Sequence, residues 1–185
     1  DHRARTDRVR HRPLTELVAA GSDPATFDFV SRWELSAGRD AVWDALVDFQ
    51  QWPIWWPGLE QVIETIHGDA SGIGQKATAV WRGPVGYSLT MAIESVERVY
   101  PDYLRGVASG DVVGEGVWRL ETVESEWTSI SFDWQVRANR RWMEFLAPVA
   151  RPLFVSSHDH VMKKGAEGLA THLSSEIRNF CAQVG

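Results

Sequence analysis

The feature that most constrains the fold is a change in hydrophobic period at residue 59. From there to residue 138, apolar and polar residues alternate, which is typical of strands with one buried face. Turn-rich links divide this stretch, and consecutive strands with short links form an antiparallel meander. The predicted strands span residues 59–67, 75–82, 86–99, 103–109, 115–123 and 128–138.

Two links in this meander, residues 68–74 and 110–116, are rich in glycine. A glycine-rich loop that cradles phosphate needs a helix directly after it. Strands are predicted after both links, so we interpret both as turns.

A strand and a helix are predicted before the meander. Alternation over residues 27–35 indicates a half-buried strand, and apolar residues at three-to-four spacing predict an amphipathic helix over 39–49. Ser36 is placed to cap this helix.

The link after this helix carries Trp52, Trp55 and Trp56, three of the ten tryptophans in the chain. Pro53 and Pro57 follow two of these rings, and we expect the prolines to hold Trp52 and Trp56 outside the right-handed helical region. A rigid aromatic corner would result. Its rings suit the wall of a ligand cavity, or they plug the bottom of a core. The sequence leaves both interpretations open.

Helical spacing returns near the C-terminus and predicts a long amphipathic helix across the concave face of the sheet. Pro148 and Pro152 are expected to break or kink its first turns. Gly165 and Gly168 lie inside it, where alanine would favour the helix by about 1 kcal/mol each, so they leave space beneath the helix or allow a close approach. The apolar stripe consists of Phe154, His158, Val161, Met162, Gly165, Leu169, Leu173, Ile177 and Phe180.

This order of elements resembles the helix-grip fold of the START and Bet v 1-like (SRPBCC) superfamily, and the local sequence resembles its bacterial polyketide cyclase/dehydrase branch. The resemblance implies an α+β fold with a curved antiparallel sheet of about seven strands around a C-terminal helix. It also implies a cavity for an apolar small molecule, since members include carriers and cyclases. No catalytic residue is transferred. The matching segments are residues 41–49, 52–53, 55–58, 106–111 with Gly114, Gly116 and Trp118, 134–136, and 146–152 leading to His158, Asp159 and Met162.

Strand parity tests the cavity independently of the resemblance. If Leu89, Met91 and Ile93 face inward, their partners on neighbouring strands are also apolar or aromatic. Such an interior suits hydrocarbon or aromatic rings and excludes a charged ligand, unless the face packs solidly against the helix. The predicted ligand contacts are Trp33, Trp56, Leu89, Met91, Trp118, Phe132, Trp134, His158, Met162 and Gly165.

His158 and Tyr87 are the weak catalytic candidates. A lone histidine on an apolar stripe is typically a hydrogen-bonded core residue, and Tyr87 fits a ring packed at a strand end equally well. Ser157, His158 and Asp159 contain the residue types of a hydrolase triad, but adjacent helical residues point about 100° apart. His158 and His160 lie on opposite helix faces for the same reason. We therefore predict no metal and no cofactor.

Composition limits partners and location. The net charge is −6, which argues against a nucleic-acid surface, although residues 1–25 form a basic arm that we expect to be flexible. Residues 26–185 are predicted to form one ligand-binding domain. With Cys181 as the lone cysteine, no signal peptide and no membrane span, we expect a cytoplasmic protein. A homodimer is compatible with the sequence.

Three functions follow from these features. The first is binding of a hydrophobic small molecule such as a lipid, an isoprenoid or a polyketide-like aromatic. The second is an aromatase/cyclase that promotes aldol closure and dehydration in the same cavity. The third is a docking site at an exposed corner formed by Trp55 and Trp56. The sequence does not decide whether the protein is an enzyme.

Overall fold

The computed structural model describes residues 26–83, 86, 88–139 and 141–185, with the side chains of 141–150 outside the description. The predicted basic arm and Tyr87 lie outside the described residues. Among the helices of the described part, none combines the length and the apolar character needed to cross a membrane.

One antiparallel sheet of eight strands, in the order β2-β3-β4-β5-β6-β7-β1-β8, forms the framework. The alternation seen in the sequence produces it, because each strand places one set of side chains inward. Its strands are β1 (Thr26–Leu35), β2 (Leu59–Ile66), β3 (Lys76–Arg82), β4 (Ser88–Val99), β5 (Tyr103–Gly110), β6 (Val112–Glu124), β7 (Trp127–Ala138) and β8 (Ile177–Val184).

Three α-helices accompany the sheet in the described residues: α1 (Arg39–Val47), the one-turn α2 (Trp52–Trp55) and the long α3 (Arg141–His172). A 3₁₀ turn, Phe49–Gln51, joins α1 to α2. The buried side chains of α1, α2 and α3 share a single core cluster with the inner face of the sheet. This arrangement is the predicted α+β helix-grip architecture, with one strand more than expected.

The predicted C-terminal helix is too long, because residues 177–180 belong to the additional strand, β8. The helix ends where Ser174 adopts a left-handed conformation with φ of 51°. The backbone N–H of Ser175 then donates to the Ala170 carbonyl, and that of Ser174 donates to Thr171, which is the hydrogen-bond pattern of a Schellman cap. The chain turns back and pairs with β1.

The expected break at the two prolines is also absent, because α3 runs continuously through Pro148 and Pro152. The turns that follow the two prolines pack in the core.

The two glycine-rich links differ from each other. Residues 68–74 form the predicted turn, in which Asp69 accepts hydrogen bonds from the backbone of Ser71 and Ile73. Residues 112–116 instead belong to β6, so only Asp111 separates it from β5. The prediction of a wide second turn is wrong because Gly114 and Gly116 serve close packing within the sheet.

The tryptophan corner departs from expectation at one ring. Trp56 is extended, with φ and ψ of −105° and 97°, but Trp52 is helical at −52° and −40° despite the following proline. The Trp52 Nε1–H group donates to the Leu46 carbonyl at 3.2 Å, and its ring packs on Phe49. These tertiary contacts offset the preference of a residue before proline for extended backbone.

Candidate functional site

A partly enclosed cavity of about 190 Å³ lies between the inner face of the sheet and α3. Its wall is almost entirely apolar and is contributed by β1, β3 to β7, the tryptophan corner and the middle of α3. The inward parity predicted for Leu89, Met91 and Ile93 places all three on this wall. The interior is therefore not packed solid.

An aromatic ladder along β6 and β7 forms one side of the cavity. Trp118 and Phe132 are paired across the strands and stack with ring centroids 4.2 Å apart, and Phe132 stacks in turn with Trp134 at 6.1 Å. Gly116 makes this possible, because a Cβ there would lie 2.9 Å from the Phe132 ring. The glycine thus allows the rings to lie flat along the sheet.

The tryptophan corner closes the cavity against α3. The Trp56 Nε1–H group donates to the Val161 carbonyl at 3.0 Å, and its ring packs edge-on against Trp81 and Trp118. Trp55 and Trp56 are only 5% and 4% exposed. The prediction of a docking site at an exposed corner is therefore wrong, because these rings are buried.

Gly165 and Gly168 explain how the corner approaches the helix so closely. A Cβ at Gly165 would overlap the Trp56 indole, and one at Gly168 would overlap the Trp55 carbonyl oxygen. The glycines therefore serve a close approach and do not create the empty space.

Most predicted ligand contacts lie on the cavity wall, although their role in binding stays a prediction. Two do not line it. Trp33 packs edge-on against Trp118 in the core beyond the wall, and Gly165 is covered by the Trp56 ring. The predicted contacts on the wall are Trp56, Leu89, Met91, Trp118, Phe132, Trp134, His158 and Met162.

His158 differs from the hydrogen-bonded core histidine expected from the sequence. It is 8% exposed and lines the cavity, yet neither ring nitrogen has a hydrogen-bond partner among the described residues. Its ring stacks on Phe29 with centroids 3.8 Å apart, and on Trp134 at 5.5 Å. Burial lowers the pKa of His158 to about 3, so the imidazole is neutral at physiological pH.

Asp159 does not form an ion pair with this neutral ring. Its Oδ1 lies 3.7 Å from His158 Nδ1, beyond hydrogen-bond distance, and burial raises the pKa of Asp159. Within the described part of the chain, no group of three or more His, Cys, Asp or Glu side chains could hold a metal ion.

The arginines near the sheet ends are engaged with carboxylates. Arg82, at the edge of the cavity, donates to Glu60 at 2.5 Å, and Arg105 bridges Glu97 and Glu115 at 3.0 Å each. These partners balance the guanidinium charges, so neither arginine confers a net positive potential on the cavity.

Several wall residues were absent from the predicted contacts. Ser157 has the residue type of a hydrolase triad, and its position next to His158 is the sequence signal for its place on the wall. Phe29 shares the inward parity of β1, and Phe154 lies one helical turn before His158, so both were recognisable in principle. The other aromatic wall residues that the sequence does not indicate are Phe27, Phe49 and Trp81, whereas Trp52 belongs to the tryptophan corner.

Comparison with solved structures identifies the architecture. A START superfamily protein from Mycobacterium smegmatis superposes with a TM-score of 0.66 at 14% identity, covering 80% of this chain and 97% of that chain. The chain has a START-like helix-grip fold. The Zhui aromatase/cyclase from Streptomyces sp. R1128 shares this START-like fold, with a TM-score of 0.66 at 16% identity over 80% of this chain and 94% of that one.

A two-domain protein also contains the START-like fold. The di-domain ARO/CYC BexL superposes with a TM-score of 0.68 at 16% identity, covering 88% of this chain and 54% of that chain. No family model matches the sequence, and no curated protein matches it. At these identities the likeness concerns the fold alone, and at that level it confirms the predicted resemblance.

Proposed function

We propose that the protein binds a hydrophobic aromatic small molecule in the cavity between the sheet and α3. The observation that carries the proposal is the cavity itself, with its apolar wall and its ladder of Trp118, Phe132 and Trp134. An apolar wall offers water few hydrogen-bond partners, so a cavity of this kind favours an apolar occupant. The START-like fold of the chain supports the same conclusion.

Volume and wall chemistry favour an aromatic ligand over a long-chain lipid. An apolar cavity of about 150 Å³ accommodates benzene, so a cavity of about 190 Å³ suits one ring or two fused rings. Offset-stacked and edge-to-face contacts with the aromatic wall add to the burial of apolar surface.

Native mass spectrometry of the freshly purified protein tests this proposal first, because a retained ligand reveals its mass. Titration with naphthalene then follows tryptophan emission, since Trp52, Trp56, Trp81, Trp118 and Trp134 line the cavity. No retained mass together with unchanged emission across a panel of apolar probes would contradict the proposal.

Ala108 and Ser109 provide a matched pair of variants on β5. Ala108 lines the cavity, whereas its neighbour Ser109 is exposed. We expect Ala108→Leu to weaken naphthalene binding by about tenfold or more, because the added carbons occupy the ligand's volume. Ser109→Leu adds a similar volume outside the cavity and is expected to bind as the wild type does. Equal weakening in both variants would place the ligand elsewhere.

An aromatase/cyclase is the second candidate. The Zhui structure is named as an aromatase/cyclase and the BexL structure as a di-domain ARO/CYC, and His158 brings a titratable group to the cavity. A pKa of about 3, however, makes His158 a weak base, and general-base catalysis is most efficient when the pKa lies near the working pH. Binding is therefore the better-supported function.

Incubation with a linear poly-β-ketone separates the two candidates. Cyclisation in the cavity would give a product distribution different from the spontaneous one, and Ala108→Leu would restore the spontaneous distribution. An identical distribution with and without the wild-type protein would exclude the cyclase.

A further inference from the structure

Two consecutive residues of α3 bring polar groups to the largely apolar wall of the cavity. Ser157 and His158 are 5% and 8% exposed, and both line the cavity. The Ser157 Oγ and both nitrogens of His158 have no hydrogen-bond partner among the described residues. Buried polar groups are nearly always hydrogen-bonded in folded proteins, so three such atoms at one cavity wall require an explanation.

Another polar group on the wall shows the usual arrangement. Ser95 is fully buried at the cavity, but its Oγ accepts a hydrogen bond from Arg98 Nε at 2.8 Å. Ser95 is thus satisfied by the protein. Ser157 and His158 have hydrogen-bonding capacity left for a ligand.

The chemistry of this pair selects the kind of group that it can hold. A neutral imidazole offers one N–H donor and one nitrogen acceptor, and the serine hydroxyl can donate and accept. A ligand hydroxyl, which donates once and accepts, matches this set. A carboxylate does not, because burying a negative charge in an apolar cavity beside a neutral imidazole is strongly unfavourable.

Ring stacking selects the shape of the ligand. The His158 ring stacks on Phe29 with an interplanar angle of 13° and centroids 3.8 Å apart, so Phe29 covers one of its faces. Trp134 packs beside the ring at 5.5 Å, and the nitrogens of His158 lie at the ring edge. A hydroxyl on the edge of a flat ring can reach such a nitrogen while the face of the ligand rests on the aromatic ladder.

We propose that Ser157 and His158 form a polar anchor for the ligand and that the cavity selects a small, flat, neutral aromatic molecule with a hydroxyl group. This inference rests on the proposed function, because the anchor requires a ligand in the cavity. Beyond that function, it names the class of ligand and the two residues that allow the cavity to distinguish a hydroxylated aromatic molecule from an aromatic hydrocarbon.

Naphthalene and 2-naphthol test the anchor, since they differ by one hydroxyl group. Calorimetric titration gives the ratio of their affinities for the wild type and for His158→Phe, which retains a flat ring but has no hydrogen-bonding atom. The ratio cancels any general effect of the substitution on the cavity. We expect the preference for 2-naphthol to be about tenfold greater in the wild type than in His158→Phe.

Further variants separate hydrogen bonding from packing. Ser157→Ala is expected to lower the preference by severalfold, and His158→Gln, which keeps a donor and an acceptor, to retain part of it. His160 is exposed on the same helix, so His160→Phe is the matched control and should keep the wild-type preference. Far-UV circular dichroism before titration verifies that each variant is folded.

The outcomes distinguish this inference from the function on which it rests. If neither probe binds the wild type, the proposed function fails. If naphthalene binds but neither His158→Phe nor Ser157→Ala lowers the preference for 2-naphthol, the cavity binds ligands without this anchor and the inference is overturned. Binding of 2-naphthoate as tight as that of 2-naphthol would also overturn it, because the neutral anchor disfavours a carboxylate.

Discussion

At the scale of single residues, His158 links the cavity to the pH dependence of stability. Its pKa is about 3 in the folded protein and about 6.5 in an unfolded chain. Between these values the unfolded chain binds a proton that the folded protein does not bind. The contribution of His158 to the free energy of unfolding is therefore fully present well above pH 6.5 and decreases as the pH falls towards 3.

We predict that the wild type loses about 1–2 kcal/mol more than His158→Phe between pH 6.5 and pH 5. Urea unfolding at the two pH values measures this difference. His160→Phe controls for the loss of a histidine as such, because His160 is exposed, and it is expected to follow the wild type. The same pH dependence in the wild type and His158→Phe would show that His158 is not held neutral by burial.

The sequence placed His158 on the inner stripe of α3 but did not reveal its missing partners. Position on a stripe follows from helical spacing, which is local. Whether a buried nitrogen finds a hydrogen bond depends on β1 and β7, from which Phe29 stacks on the ring and Trp134 packs beside it. Such a long-range arrangement has no signature in the residues beside His158.

At the scale of elements, the close contact between the tryptophan corner and α3 depends on two glycines. Alanine normally favours a helix over glycine by about 1 kcal/mol. Here a Cβ at Gly168 would overlap the Trp55 backbone, and one at Gly165 would overlap the Trp56 indole. We predict that Gly168→Ala and Gly165→Ala each lower the free energy of unfolding by about 1–3 kcal/mol.

Urea unfolding measures this loss, and the exposed helical residue Lys163 supplies the control. Lys163→Ala is expected to change the free energy of unfolding by less than about 0.5 kcal/mol. Since Gly168 meets backbone and Gly165 meets a side chain, the larger effect is expected at Gly168. Stabilisation by either glycine substitution would show that the helix can move away from the corner at little cost.

The strands of the meander were predictable because alternation is local and each inward face is apolar. The last strand was not, and β8 shows why. Asn179 has φ of 56°, and the pairing of β8 with β1 shifts by one residue at this point. Such a bulge places Ile177 and Phe180 on the same face although they are three residues apart. That spacing is also helical, and Ser174 ends α3 where a glycine would have signalled the end.

At the scale of the whole molecule, the cavity exists only when the sheet and α3 are assembled, so a ligand that fills it stabilises the folded state. Mass action gives about 2.7 kcal/mol at a ligand concentration 100 times the Kd. For a chain of 185 residues, each kcal/mol raises the Tm by about 2–4 °C. We predict that 2-naphthol at this concentration raises the Tm by about 5–10 °C.

Differential scanning calorimetry with and without 2-naphthol measures this shift, and the β5 variants assign it to the cavity. Ala108→Leu at the same ligand concentration should show a much smaller rise, because less of the protein is bound, whereas Ser109→Leu should show the full rise. The unliganded variants provide the baseline, which removes the effect of each substitution on stability itself. An equal rise in Ala108→Leu and the wild type would mean that 2-naphthol stabilises the protein from a site other than the space beneath α3.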